Sequence, residues 1–386
     1  QHIDSLLVRR SFNSPIIGWV STWNSRCGIS SYSANLLNDF DDNITIFAPK
    51  DESIISKDDI NVKRCWYLSK ENLDDLYSQI SNSNITTLIV QFNFGFFDYK
   101  EFNSLLHRLS SKNIKILIFM HSTIPPKLKL GFEDLILGLK KCNRIFVHSP
   151  NDLNRLKDIG LIDNVMLFPH GLPFYQPREK NWLHSINNSF SLFKSKKIVL
   201  ATFGFCLPDK GFLELIHVID LLRKSGFNIH LNMYISIHQS ELSLHTLRSI
   251  EQLVLKLKLN NFVFINSDFL EQSVVLDRLS SCDAIVFPYQ RSNESSSAAI
   301  RIGIASGNYV FATPLSVFND VSNCVHSFSD MTIPAMEADL REWITKPDKE
   351  SFLANLEVRT NWIEHHQFYK ISQRLKGIIK AIEINS

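Results

Sequence analysis

The chain has 386 residues, more than one ordinary hydrophobic core holds, and suits two domains of roughly 150–200 residues each. Its hydrophobic content of 44% is that of a globular protein and argues against disorder. Lys and Arg number 41 against 39 Asp and Glu, so a net charge of +2 offers no global field for nucleic acid.

Apolar runs at 16–20 and 44–48 read as strands, with a helix over 29–38 between them. A strand at 87–91 leads through a loop to a helix over 100–110, and 114–120 is a fully apolar strand ending at His121. Strands at 144–147 and 165–168 flank a helix over 150–159. The pattern lapses between 172 and 197, a stretch with Pro173, Pro177 and several Asn and Ser, and reads as an interdomain linker. Alternation restarts with strands at 198–202, 229–235, 262–265, 284–287 and 309–312. Helices are expected over 211–225, 241–259, 271–280 and 296–306, and the tail from 335 is mostly helical. Repeated β-α units predict parallel sheets with helices on both faces, bound to ligands at their C-terminal strand edges. The expected division is an N-terminal domain over 1–175, a linker over 176–197, a second domain over 198–345, and a helical segment over 346–386 packing back toward the first domain.

The six cysteines are scattered without a C-x-x-C pair, so zinc sites and disulfide frameworks are not expected and a reducing, cytoplasmic setting is. No apolar run reaches the ~18–20 residues that span a bilayer, which leaves only peripheral contact with a membrane. Gln1 is not a natural start, so the chain is read as one part of a longer polypeptide or as trimmed.

The stretch 288–307 reads PYQRSNESSSAAIRIGIASG and places Ser295, Ser296 and Ser297 in the first turn of the expected helix. The first N–H groups of a helix lack partners and carry partial positive charge, so small residues there let a phosphate approach. Serine is equally a common helix cap. Glu294 would repel a phosphate but accept hydrogen bonds from sugar hydroxyls, the pairing a sugar phosphate requires; the plain alternative is a solvated loop acid. In TFGFCLPDKG, 202–211, a strand ends, a glycine-containing turn follows, and Lys210 precedes a helix. Its ammonium suits a phosphate, although D-K-G is also a common turn. In STWNSRCGI, 21–29, Gly28 permits a tight turn near a ligand. A G-x-G-x-x-G is absent, which argues against a dinucleotide oxidoreductase. His121 ends the strand of ILIFMHS at the ligand-facing edge, though a histidine there is more often structural. His170 follows another strand in FPHG, and His148 in VHSP reads as a helix-start residue. None of the thirteen histidines has metal-ligand spacing, and Asp39-Phe40-Asp41 precedes a strand and reads as a solvated loop.

Together these stretches resemble the GT-B glycosyltransferases, specifically the retaining enzymes of glycosyltransferase family 4, over nearly the whole chain. FPYQRSNESSSAAIRIGIASGNYVFATP resembles the family's E-x7-E region, and FGFCLPDKGF its strand–turn–Lys-Gly motif. IFVHSPNDLNRLKDIG with NVMLFPHG resembles the close of the N-terminal domain, and WNSRCGISSYSANLL the glycine loop and first helix. The resemblance implies two doubly wound Rossmann-like domains facing a central cleft. It implies that Glu294 contacts the donor sugar, Ser295, Ser296 and Ser297 hold the diphosphate, and Lys210 neutralises it. Gly28 would lie near the phosphate and acceptor, and His121 near the reacting sugar. Two positions depart from the pattern. Ile302 stands where the second Glu binds ribose hydroxyls, and Phe205 where an Arg accompanies the Lys. Arg301 and Arg291 are the candidate replacements for that charge; the plain alternatives are a helix-surface residue for Arg301 and a solvated loop residue for Arg291. The implied activity is retaining transfer from a nucleoside-diphosphate sugar to a saccharide or lipid-linked glycan, with no metal or other cofactor. The alternative is a non-catalytic carbohydrate- or partner-binding module with a degenerate donor site. A sugar-nucleotide epimerase shares the domain type, but no motif points to it.

Overall fold

The computed structural model describes residues 15–40, 44–69, 72–125, 132–175, 197–238, 240–346 and 349–384. The expected linker, 176–197, lies outside the described residues apart from Lys197. In the first half the strands are β1 (Ile17–Val20), β2 (Ile44–Pro49), β3 (Val62–Trp66), β4 (Thr87–Phe92), β5 (Lys115–Met120), β6 (Arg144–Val147) and β7 (Val165–Leu167). They form one sheet in the order β3-β2-β1-β4-β5-β6-β7. In the second half β8 (Ile198–Phe205), β9 (Ile229–Ser236), β10 (Val263–Asn266), β11 (Ala284–Phe287), β12 (Tyr309–Ala312) and β13 (His326–Ser327) form another, ordered β10-β9-β8-β11-β12-β13. The pairings are parallel, with Ile17 opposite Ile44 on one side and Thr87 on the other. Central strands such as TLIVQF and AIVF are buried along their whole length. That is the signature of a parallel sheet covered by helices on both faces.

The covering helices are α1 (Gly28–Leu37), α2 (Asp74–Ser81), α3 (Tyr99–Ser110), α4 (Phe132–Leu139), α5 (Pro150–Asp158), α6 (Phe212–Lys224), α7 (Glu241–Lys256), α8 (Gln272–Ser280), α9 (Ala298–Ala305), α10 (Ile333–Thr345), α11 (Lys349–His366) and α12 (Phe368–Ile384). Several start where a side chain satisfies free amides. Asp98 accepts from the N–H groups of Lys100 and Glu101 at 3.0 and 3.1 Å, and Ser149 caps α5 with Pro150 at its first position. One face of the first sheet packs Leu88, Ile116 and Phe102, and the other packs Trp19, Phe119 and Phe146. The second sheet is enclosed likewise by Leu200, Leu215 and Ile229 on one side and Ile285, Ile300 and Val317 on the other.

Three expectations are corrected. The strand expected over 198–202 runs to Phe205, because β8 pairs with β9 as far as Phe205 opposite Ser236; the turn is a short 3-10 segment, Pro208–Lys210. The helix expected from Ser296 starts at Ala298, because Ser297 has extended backbone and caps it, its hydroxyl accepting from the Ile300 N–H at 3.4 Å. Ser295 and Ser296 therefore precede the helix. The sequence reading also missed β3, α2, α4, β13 and a 3-10 stretch, Ser316–Cys324.

The C-terminal segment crosses between the domains. In α11, Arg359 donates to the backbone carbonyls of Asn308 and Ile304 in the second domain. Helix α12 lies on the first domain, its Phe368, Ile371, Leu375 and Ile379 packing with Trp19 and Tyr32. Beside this crossing, Leu172 donates to the His366 carbonyl at 2.9 Å and Phe368 to the Leu172 carbonyl at 3.0 Å.

Candidate functional site

Strand order reverses between β1 and β4 in one sheet and between β8 and β11 in the other. Such switch points open a crevice beyond the C-terminal strand ends. The loops there carry most of the residues singled out above: 21–27 after β1, 206–211 after β8, and 288–297 after β11.

The last two loops are locked together. Gln290 and Arg291 donate backbone N–H groups to the Asp209 carbonyl at 2.9 and 3.3 Å, and the Arg291 guanidinium meets the Asp209 carboxylate at 3.3 Å. Gly211 makes this possible. It sits at φ +71°, and a Cβ there would lie 1.8 Å from the Pro288 carbonyl oxygen, so only glycine fits. The result brings Lys210 Nζ to 3.1 Å from Glu294 Oε2. Lys210 is only 8% exposed, and its ammonium lies 4.0 Å from the centre of the Tyr289 ring. Burial pulls the Lys210 pKa down, but Tyr289 and Glu294 raise it, and the balance is above its ordinary value. Lys210 is therefore charged at neutral pH, while Glu294 reaches the surface.

The segment 293–301 also touches the first domain. The Ser295 N–H donates to the His121 carbonyl at 3.2 Å, and the Ser122 hydroxyl to the Asn293 carbonyl at 2.7 Å. The buried Ser295 hydroxyl has no hydrogen-bond partner among the described residues. Ser296 donates to Asp320 at 3.3 Å. Arg301 is 1% exposed and already engaged: it donates to the Ser297 carbonyl at 2.9 Å, to the His170 carbonyl at 3.4 Å, and pairs with Asp320. Its charge is thus committed beneath the helix start, while Arg291 stands exposed with Asp209. Ile302, 9% exposed, packs into the core of the second domain and offers nothing to a ribose. Phe205 ends β8 beside His238 and Phe269, which follow β9 and β10, with ring centres 5.4 and 6.2 Å away.

On the first-domain side, His121 is half-buried, its Nε2 2.7 Å from the Gln91 side-chain oxygen. Burial and the neighbouring His148 hold its pKa well below the usual histidine value, so the ring is neutral. His148 and His170 follow the next two strands, and Tyr32 of α1 lies among all three, with ring centres 4.8–5.8 Å apart. Gly28 opens α1, with nothing within 4 Å of where a Cβ would stand, so the surrounding chain does not itself require glycine.

Sequence reasoning missed the device that fixes the 21–27 loop. Glu52 accepts from the Trp23 N–H at 3.1 Å and the Ser25 hydroxyl at 2.7 Å. Arg64 bridges Glu52 at 3.0 Å and Asp58 at 2.6 Å and donates to the Trp23 carbonyl at 3.1 Å. Asn24, at φ +52°, donates to the Ser56 carbonyl at 2.6 Å. The acids and the arginine sit 27–41 positions from the loop, so no local motif announces them. Among the described residues no group of three or more His, Cys, Asp or Glu could hold a metal ion, and no helix is long and apolar enough to cross a membrane.

No protein-family model and no curated protein matches the chain. Solved structures do. Sucrose-phosphate synthase from Thermosynechococcus elongatus superposes with a TM-score of 0.71 at 14% identity, over 96% of this chain and 99% of that one. HepE from Anabaena, in complex with UDP, gives 0.71 at 11% identity over 95% and 99%. The UDP-forming α,α-trehalose-phosphate synthase from Burkholderia xenovorans, in complex with glucose-6-phosphate, gives 0.71 at 8% identity over 94% and 99%. The fold is GT-B: two doubly wound, Rossmann-like α/β domains facing a cleft.

Proposed function

We propose that the chain is a retaining glycosyltransferase that moves a sugar from a nucleoside diphosphate to a saccharide or lipid-linked glycan without a metal ion. The observation that carries this reading is the meeting of Lys210, Glu294 and the start of α9 at the switch point of the second sheet. A cation and free helix amides suit a diphosphate, and an exposed carboxylate beside them suits sugar hydroxyls. The structural neighbours add weight. HepE is described with UDP and with UDP and glucose, and a trehalose-6-phosphate synthase is described in terms of glycosyltransfer with retention. Family 4 is the closer affiliation we propose on the motifs quoted above.

In this reading the bond from the anomeric carbon to the phosphate oxygen breaks, and the acceptor oxygen bonds that carbon on the same face. The acceptor proton passes to a leaving-phosphate oxygen, so no side-chain base is required. Lys210 and the α9 amides stabilise the charge developing on the leaving group. Neutral His121 hydrogen-bonds the sugar or acceptor. The clamped 21–27 loop, with Gly28, forms the opposite wall.

The test is a thermal shift with UDP, GDP, ADP, CMP and dTDP, first without metal and then with Mg²⁺. A ligand at about 100 times its dissociation constant stabilises by roughly 2.7 kcal/mol. One diphosphate is expected to shift the melt without metal, and Lys210→Ala and Glu294→Ala to abolish transfer while the fold persists. Full activity in both variants sinks the site assignment. Ile302 and Phe205 favour a second reading, a binding module that retains the two-domain shell; no shift with any nucleotide selects it.

A further inference from the structure

With an apolar Phe205 and a committed Arg301, the candidate phosphate site relies on Lys210. A buried ammonium is costly unless neighbouring groups answer its charge. Two groups do so, and they are not equivalent. Glu294 answers with a full negative charge at 3.1 Å, which has to move aside when a phosphate arrives. Tyr289 answers with its ring, whose centre lies 4.0 Å from the ammonium, and with a hydroxyl that hydrogen-bonds it; the neutral side chain carries no net charge and stays in place beside an anion.

Tyr289 is built to hold still. It is 1% exposed, packs against the Phe318 ring at 5.0 Å, and its carbonyl accepts from the Thr313 hydroxyl at 2.6 Å. Its own hydroxyl lies 3.4 Å from Ser297 Oγ, the cap of α9. The close approach of Gly211 to Pro288 presses the Lys210 turn onto this ring. One side chain thus touches both the cation and the helix start.

We infer that Tyr289 is the positioning residue of the phosphate site: its ring face keeps the Lys210 ammonium charged and beside the start of α9, which frees Glu294 for the sugar. The inference rests on the donor-site reading given above. It explains how a site that relies on Lys210, with Arg301 committed elsewhere, serves a diphosphate.

The experiment compares Tyr289→Phe, which keeps the ring, with Tyr289→Leu and Tyr289→Met, which remove it, each checked for native melting. Lysine labelled with ¹³C at Cε reports the Lys210 ionisation, assigned by loss of its signal in Lys210→Arg. Calorimetry measures affinity for inorganic pyrophosphate and UDP across pH 7–10. Wild type and Tyr289→Phe are expected to keep Lys210 charged across that whole range and to bind within threefold of one another. The ringless variants are expected to titrate inside that range and to bind about tenfold more weakly, the deficit widening as pH rises. An unchanged Lys210 titration in the ringless variants overturns the inference. So does a Phe variant as impaired as Leu, which would assign the role to the hydroxyl. If wild type binds neither pyrophosphate nor UDP, the donor-site reading falls, and the Lys210 titration alone decides whether Tyr289 holds the cation.

Discussion

Two glycines illustrate what single positions do. Gly211 has a left-handed backbone and a carbonyl 1.8 Å from where a Cβ would be, so Gly211→Ala has to displace the 288–291 loop. A cost of about 2–4 kcal/mol is expected, a fall in Tm of roughly 5–10 °C, and loss of any nucleotide-induced shift. Gly28→Ala meets nothing, so its Tm is expected to stay within about 1 °C of wild type while ligand binding weakens. Differential scanning fluorimetry with and without UDP reads both; a large loss of stability in Gly28→Ala would remove the argument for an open cradle. At this scale Lys210 and Glu294 could be singled out because each sits in a short local pattern, and the structure brings the two side chains together. Tyr289 was not, because its role depends on a turn almost 80 positions earlier. Arg301 is a candidate replacement for the charge absent at Phe205, yet it lies inside, because α9 is buried at every position from Ile300 to Ala305 and Asp320 pairs with the guanidinium there.

At the scale of elements, three neighbouring strands, β5, β6 and β7, are followed by His121, His148 and His170 at the junction with Arg301. Burial lowers the pKa of all three, with Arg301 pressing His148 and His170 further down. Asp152 and Asp320 work the other way on His148, and His366 of α11 is also lowered by burial. The folded state therefore binds fewer protons than the unfolded chain below the ordinary value of 6.5. The stability this contributes is complete above about pH 6.5 and is lost as pH falls toward about 4, the His148 value. His148 alone is expected to cost about 2 kcal/mol between pH 7.5 and pH 5.0. Urea unfolding at the two pH values measures it, and His148→Asn, which can still reach the Phe168 carbonyl, is expected to shrink the difference by that amount. A pH dependence unchanged by His148→Asn would show that the ring is not excluded from protonation. Elements with long apolar runs, such as β4, β5 and β11, were legible in the sequence. Strand β3, VKRCW, was not, because it lies at a sheet edge and buries only Cys65 and Trp66. Helices α2 and α4 have eight residues each, too short for a periodic signal.

At the scale of the molecule, the two-sheet plan was legible from alternation, because parallel strands need a crossover and most crossovers here are helical; the link from β2 to β3, residues 50–61, holds no helix and announced no strand. The core on the β1–β5–β6 face is completed by the last helix. Phe368, Ile371, Leu375 and Ile379 bury four apolar side chains there, worth about 1.5–3 kcal/mol each. Their sum is comparable to the stability of a whole domain. A chain ending at Gln367 is expected to lose cooperative melting of the first domain and to yield mostly insoluble protein. Expression followed by circular-dichroism melting checks this, and a well-folded truncation would show the helix to be an accessory.

The bridge between Leu172 and Gln367 has a mechanical consequence. Where the first domain ends and where the chain returns to it, the backbone passes as two hydrogen-bonded lines lying side by side. A single tether would let the lobes swivel in any direction, whereas a paired one bends easily about one line and resists torsion. Any bending of the lobes about this crossing is therefore expected to follow a single arc, as a book turns on its spine. In the conformation described, the 293–297 segment meets the end of β5, where the Ser295 N–H donates to the His121 carbonyl.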